Sequence, residues 1–152
     1  MELKSLIGKE ILDILVKTER YKEFNNHGLW KAECYYILTG NLIIGLPFHI
    51  ADREVWIRTP DPLAKTCFPA KKWWQKTREP YKIQNAVIKD IIDYPEEIHP
   101  AYLELDNGII ITEETVAQTG LIVGLYVFNS IDNLEQKCGS DYIRLSNYKG
   151  SI

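Results

Sequence analysis

Three cysteines (Cys34, Cys67, Cys138) and three histidines (His27, His49, His99) are the side chains best suited to nucleophilic or metal chemistry in this 152-residue chain. A thiolate beside an imidazole can attack a carbonyl, and Cys with His can hold zinc. Their spacing points to neither. No two cysteines form a C-x-x-C pair, and no histidine stands at finger spacing from one. Asp93, Glu96 and Glu97 in "DYPEE" put three carboxylates within five residues, a set that could hold a hard cation. The proline between them reads instead as a loop carrying solvated acids. The phosphate-cradling, zinc-protease and serine-hydrolase signatures are all missing. The chain therefore reads as one with no catalytic residue, no metal ligand set and no cofactor.

Charge supplies the stronger signal. Residues 1–76 hold 12 Lys/Arg and 9 Asp/Glu, net +3, whereas residues 77–152 hold 6 and 12, net −6. From 90 to 136 there is no basic residue at all, and ten acids stand in those 47 positions. An all-acidic stretch raises the local potential and draws cationic partners. Asp90, Asp93, Glu96, Glu97, Asp106, Glu113 and Glu114 are the candidate contacts, with Tyr94 and Tyr102 as aromatic anchors. The opposite pattern is "KKWWQKTREPYK" at 71–82. There Lys71, Lys72, Lys76 and Arg78 are interleaved with Trp73 and Trp74, a mixture able to hold phosphates and stack on bases. A net charge of −3 and a pI near 5.6 weigh against a dedicated nucleic-acid binder.

The elements that must carry these residues are read from periodicity. Hydrophobic residues at 45% and charged residues at 26% are ordinary globular values, and the length suits a single domain. Three blocks recur in order. "EILDIL" (10–15) matches "VIKDII" (87–92) at an offset of 77. "LTGNLII" (38–44) matches "LDNGIII" (105–111) at 67, and "TPDPLAKTC" (59–67) matches "SIDNLEQKC" (130–138) at 71. Alternating Ile, Leu and Val around Gly/Asn turns predict strands joined by hairpins. Thr59 and Ser130 are placed as helix N-caps, each with an aspartate in the first turn. The expected fold is a β-rich α+β single domain, pseudo-symmetric, built from two tandem units of about 76 residues (1–76 and 77–152). Each unit runs strand, hairpin, strand, short helix.

"YLELDNGIIITEE" followed by "GLIVGLYVFNS" (102–114 and 120–130) resembles the small immunity proteins of bacterial polymorphic and contact-dependent growth-inhibition toxin systems. The resemblance implies a protein without chemistry of its own that binds and neutralises one cognate toxin. Many such toxins are nucleases with cationic active sites, so the implied partner is basic. The N-terminal segment has acids inside its apolar pattern and no long apolar run, which predicts a cytoplasmic protein that does not span a membrane. The basic and aromatic segment 71–82 keeps a nucleic-acid-binding module as the alternative.

Overall fold

The structure is a computed structural model and describes residues 1–20, 30–46, 54–66, 83–95, 101–116 and 121–147, with backbone alone at 18–20, 30–32, 114–116 and 121–124. A 3-10 turn, Leu3–Leu6, precedes the first strand. The first sheet contains β1 (Ile11–Arg20), β2 (Trp30–Leu38), β3 (Leu42–Gly45), β4 (Trp56–Ile57) and β5 (Lys65–Thr66). The second contains β6 (Ile88–Asp93), β7 (Tyr102–Leu105), β8 (Ile110–Val116), β9 (Leu121–Phe128) and β10 (Ile143–Arg144). Helix α1, Ile131–Cys138, connects β9 to β10. A second 3-10 turn, Leu145–Asn147, follows. The fold is thus β-rich α+β, as the alternation predicts.

Strand order is β4-β3-β2-β1-β5 in the first sheet and β10-β6-β7-β8-β9 in the second, with every pairing antiparallel. Each sheet is a four-stranded meander whose fifth strand returns to pair with the first. Period-2 alternation sends alternate side chains to opposite faces. Ile11, Ile14, Cys34, Tyr36, Leu38 and Ile44 from one sheet meet Ile88, Ile91, Leu103, Leu105, Ile111 and Val127 from the other in the main core. The far face of the second sheet carries Ile92, Tyr94, Tyr102, Ile110 and Phe128, and Leu134 of α1 seals them. The layers therefore run sheet, sheet, helix.

The hairpins form where Gly and Asn stand. Gly40 (φ 83°) and Asn41 (φ 59°) take the left-handed conformation in the first, and Gly108 (φ 87°) does so in the second. There the Asn107 side chain accepts the Ile109 N–H at 3.1 Å. α1 starts as expected, with Ser130 Oγ accepting the Asn133 N–H at 3.3 Å, and Gly139 ends it at φ 90°.

The first half departs from expectation. Among the described residues 60–66 no helix follows Thr59; residues 61–64 make a turn leading into β5. Pro60 and Pro62 flank Asp61, and a residue before proline is pushed out of the helical region. Asp61 instead accepts the Leu63 N–H on Oδ1 at 2.8 Å, and its backbone carbonyl accepts the Ala64 N–H at 2.9 Å. The Leu63 N–H bond, then Lys17 at 2.9 Å, hold the Asp61 carboxyl below its ordinary range.

Candidate functional site

Among the described residues, the acids of the second half do not share one surface. Asp90 is buried at the bulge where the β6 register shifts. It accepts the Ile91 N–H at 2.8 Å and the Ser146 N–H at 3.1 Å, and the Ser146 hydroxyl donates to its other oxygen. Asp93, at the end of β6, is also buried. Asp90 is thus held within the sheet, and neither buried carboxyl lies on the surface where a docking contact was expected. Asp106 is exposed at the hairpin, where Oδ1 accepts the Val87 N–H at 3.2 Å. Glu114 lies in β8 by its backbone. Glu96 and Glu97 fall outside the described residues, as do Lys71, Lys72, Trp73, Trp74, Lys76 and Arg78.

The aromatic anchors turn inward too. The Tyr94 hydroxyl donates to the Gly139 carbonyl at 2.8 Å. Its ring meets Tyr102 edge-on at 5.6 Å and Tyr142 at 5.7 Å. Tyr102 lies 6.3 Å from Phe128, with its hydroxyl 3.9 Å from Cys138 Sγ. Together these rings seat the C-terminal end of α1, a structural task in place of the expected contact with a partner.

Glu113 is the most perturbed acid. It continues the inward series of Ile109, just before β8, and Ile111 within it, and is 4% exposed. Burial pushes its carboxyl up to about 7; a hydrogen bond from the Cys34 thiol and the more distant charge of Arg58 oppose that rise. A carboxyl enclosed between two sheets is not a docking residue.

Sequence reasoning missed the polar lattice on the helix side. Arg144 donates from Nε and Nη2 to the two carboxylate oxygens of Glu104, both at 3.0 Å. This fork pins β10 to the sheet and raises the Arg144 pKa. The Tyr142 hydroxyl donates to Glu135 Oε1 at 2.8 Å; burial, then that bond, raises its pKa. The signal available was parity: Glu104 stands two residues beyond Tyr102 on the same face of β7.

What stays outside is the ridge of α1, where Asp132, Asn133, Gln136 and Lys137 are exposed. A depression of about 480 Å³ lies on one side, between α1 and β9, floored by Tyr126 and Phe128 with Asn129 and Asn133 at its rim. Lys137 Nζ sits 3.9 Å above the Tyr126 ring. A second depression of about 460 Å³ is lined by Asp132, Glu135, Gln136, Gly139 and Ser140. Both are open to solvent and neither is an enclosed cavity. Among the described residues no group of three or more His, Cys, Asp and Glu is placed to hold a metal ion. Nor is any described helix long and apolar enough to cross a membrane.

No family model matches the chain, and neither a curated protein nor a solved structure shows significant similarity to it.

Proposed function

We propose that this protein is an immunity protein that binds and neutralises a cognate toxin in the cytoplasm, using the α1 ridge and the acids around it. The observation that carries this reading is the ridge between two open depressions, with Asp132 and Asp141 exposed and Glu135 half-exposed beside it. Asp106 adds a carboxylate at the β7–β8 hairpin. The one basic side chain of the ridge, Lys137, is drawn back onto the Tyr126 ring. Such a face suits a basic protein, whose approach the carboxylates accelerate and whose side chains fill the depressions.

The test is co-purification with the protein encoded beside this one, followed by association kinetics at several salt concentrations. Asp132→Lys with Asp141→Lys should slow association about tenfold at low salt, flatten its salt dependence and leave dissociation nearly unchanged. Failure of every neighbour-encoded protein to bind defeats the reading. Unchanged association in the double variant defeats its electrostatic part.

A further inference from the structure

The two sheets meet at an antiparallel bridge between Glu10 and Val87. Any antiparallel bridge is two-fold by nature, so one matched pair there carries no weight: Ile11 N–H to the Ala86 carbonyl at 2.9 Å, Ile88 N–H to the Lys9 carbonyl at 2.8 Å. What carries weight is a departure from the regular ladder made on both sides. The next bond skips one residue in each strand. Gly8 N–H reaches the Ile88 carbonyl at 2.8 Å, and Asn85 N–H reaches the Ile11 carbonyl at 2.7 Å. The skipped amides fold back alike, Lys9 N–H to the Leu6 carbonyl at 3.0 Å and Ala86 N–H to the Ile83 carbonyl at 3.1 Å. Gly8 and Asn85 both take positive φ, 92° and 67°. Every one of these equivalences has the offset of 77 that separates the sequence blocks.

The surroundings repeat as well. Thr39 N–H donates to the Glu10 carbonyl at 3.1 Å while Glu10 N–H donates to Thr39 Oγ1 at 2.9 Å. Asp106 N–H donates to the Val87 carbonyl at 2.9 Å while Val87 N–H donates to Asp106 Oδ1 at 3.2 Å. Here the offset is 67, that of the hairpins. In β1, Asp13 Oδ1 accepts its neighbour's N–H from Ile14 at 2.7 Å and the Thr66 hydroxyl at 2.7 Å. Asp90 in β6 likewise accepts the Ile91 N–H on Oδ1 at 2.8 Å and the Ser146 hydroxyl, there on its other oxygen. Backbone pairing of two unrelated strands would not make each sheet's own hairpin cap its own bridge residue.

We infer that the surfaces around Glu10 and Val87 are two copies of one self-complementary interface, so the partner each fits is a second copy of its own unit, here joined on one chain. An isologous interface uses the same patch on both sides, each contact returned by its mirror. The junction supplies those returned contacts through a bulge, a hairpin cap and a positive-φ residue on each side. Glu10 and Val87 differ in chemistry yet sit alike, because the bridge uses only their backbones.

Amide hydrogen exchange on the intact chain tests this. In the unaltered protein, the amides of Gly8 and Asn85, Glu10 and Val87, and Ile11 and Ile88 should exchange within about tenfold of each other, pair by pair. Thr39→Ala should speed exchange at Glu10, and Asp106→Ala at Val87, each by about fivefold, the effect of losing one net hydrogen bond. Exchanging the two caps, Thr39→Asp with Asp106→Thr, should restore both amides. Pairs that differ more than about a hundredfold in the unaltered protein overturn the inference. So does a folded exchange variant that leaves either amide unprotected. If an alanine variant fails to fold, the unaltered protein's pairs decide alone.

Discussion

Replacing Glu113 with glutamine keeps the side chain's shape and removes its titratable proton. The carboxyl titrates at an ordinary 4.5 in the unfolded chain and near 7 in the fold, because it lies between the sheets with burial as the dominant influence. For an acid whose folded pKa is raised, the native state keeps a proton that the unfolded chain has released. Stability is then full below pH 4.5, declines as pH rises toward 7, and stays low above it. Each pH unit of that interval is worth about 1.4 kcal/mol, so ionisation removes about 3 kcal/mol in all. A glutamine side chain cannot ionise, so Glu113→Gln abolishes this decline. Its amide must still find an acceptor, a penalty of about 1–3 kcal/mol that is independent of pH and cancels from the slope. Urea unfolding followed by tryptophan fluorescence at pH 4.5 to 8 measures the difference. The gap between the two proteins should shift by about 3 kcal/mol in favour of the variant across that range. Parallel curves would refute the idea that Glu113 is buried against its charge.

Two further substitutions probe the helix side. Leu134 is the fully buried residue of α1, and Leu134→Ala should cost about 2–5 kcal/mol in chemical unfolding, with a loss of helical circular dichroism. If stability is unchanged, α1 does not seal the far face of the second sheet. Arg144→Ala leaves the buried Glu104 without its fork and should cost about 3 kcal/mol, of which Arg144→Lys recovers less than half, since an ammonium cannot make two parallel bonds. Full recovery by lysine would reduce the pair to simple charge attraction.

The strands were legible in the Ile, Leu and Val of 11–16, 88–92 and 109–111, although Ile11, Ile14 and Leu15 also fit a helical period and only the β-branched content of the counterpart at 87–92 favours a strand there. The Gly/Asn turns marked both hairpins. β5 and β10, two residues each, carry no periodic signal of their own; only the pairing of Leu15 with Thr66 and of Asp93 with Ile143 defines them. The turn that replaces a helix after Thr59 was also written in the sequence, in Pro60 and Pro62, but the Leu and Cys shared with the second half outweighed them. The acids were the largest misreading. An unbroken run of carboxylates looks like a surface when counted by charge. Counted by parity, Glu113 continues the inward series of Ile109 and Ile111, and Glu104 continues the helix-facing series of Tyr102.

That inversion changes what electrostatics contributes to binding. Asp90, Asp93, Glu104 and Glu113 account for four of the twelve acids in the second half, and all four are buried. Glu104 and Arg144 already cancel within that net charge, and Glu113 is drawn toward its neutral form by burial. The net −6 of residues 77–152 therefore overstates the field that a partner meets. The steering that remains comes from the exposed carboxylates, Asp132 and Asp141 at α1 and Asp106 at the β7–β8 hairpin, and is screened beyond about 10 Å at moderate salt. Attraction of that size sets the orientation and rate of encounter more than the strength of the complex. Strength has to come from surface complementarity, and the ridge of α1 supplies two depressions for it, one floored by Tyr126. A partner side chain seated over that ring must first displace the Lys137 ammonium. On the proposed reading, Lys137 therefore controls access to the depression floored by Tyr126, while the second depression stays open to the partner.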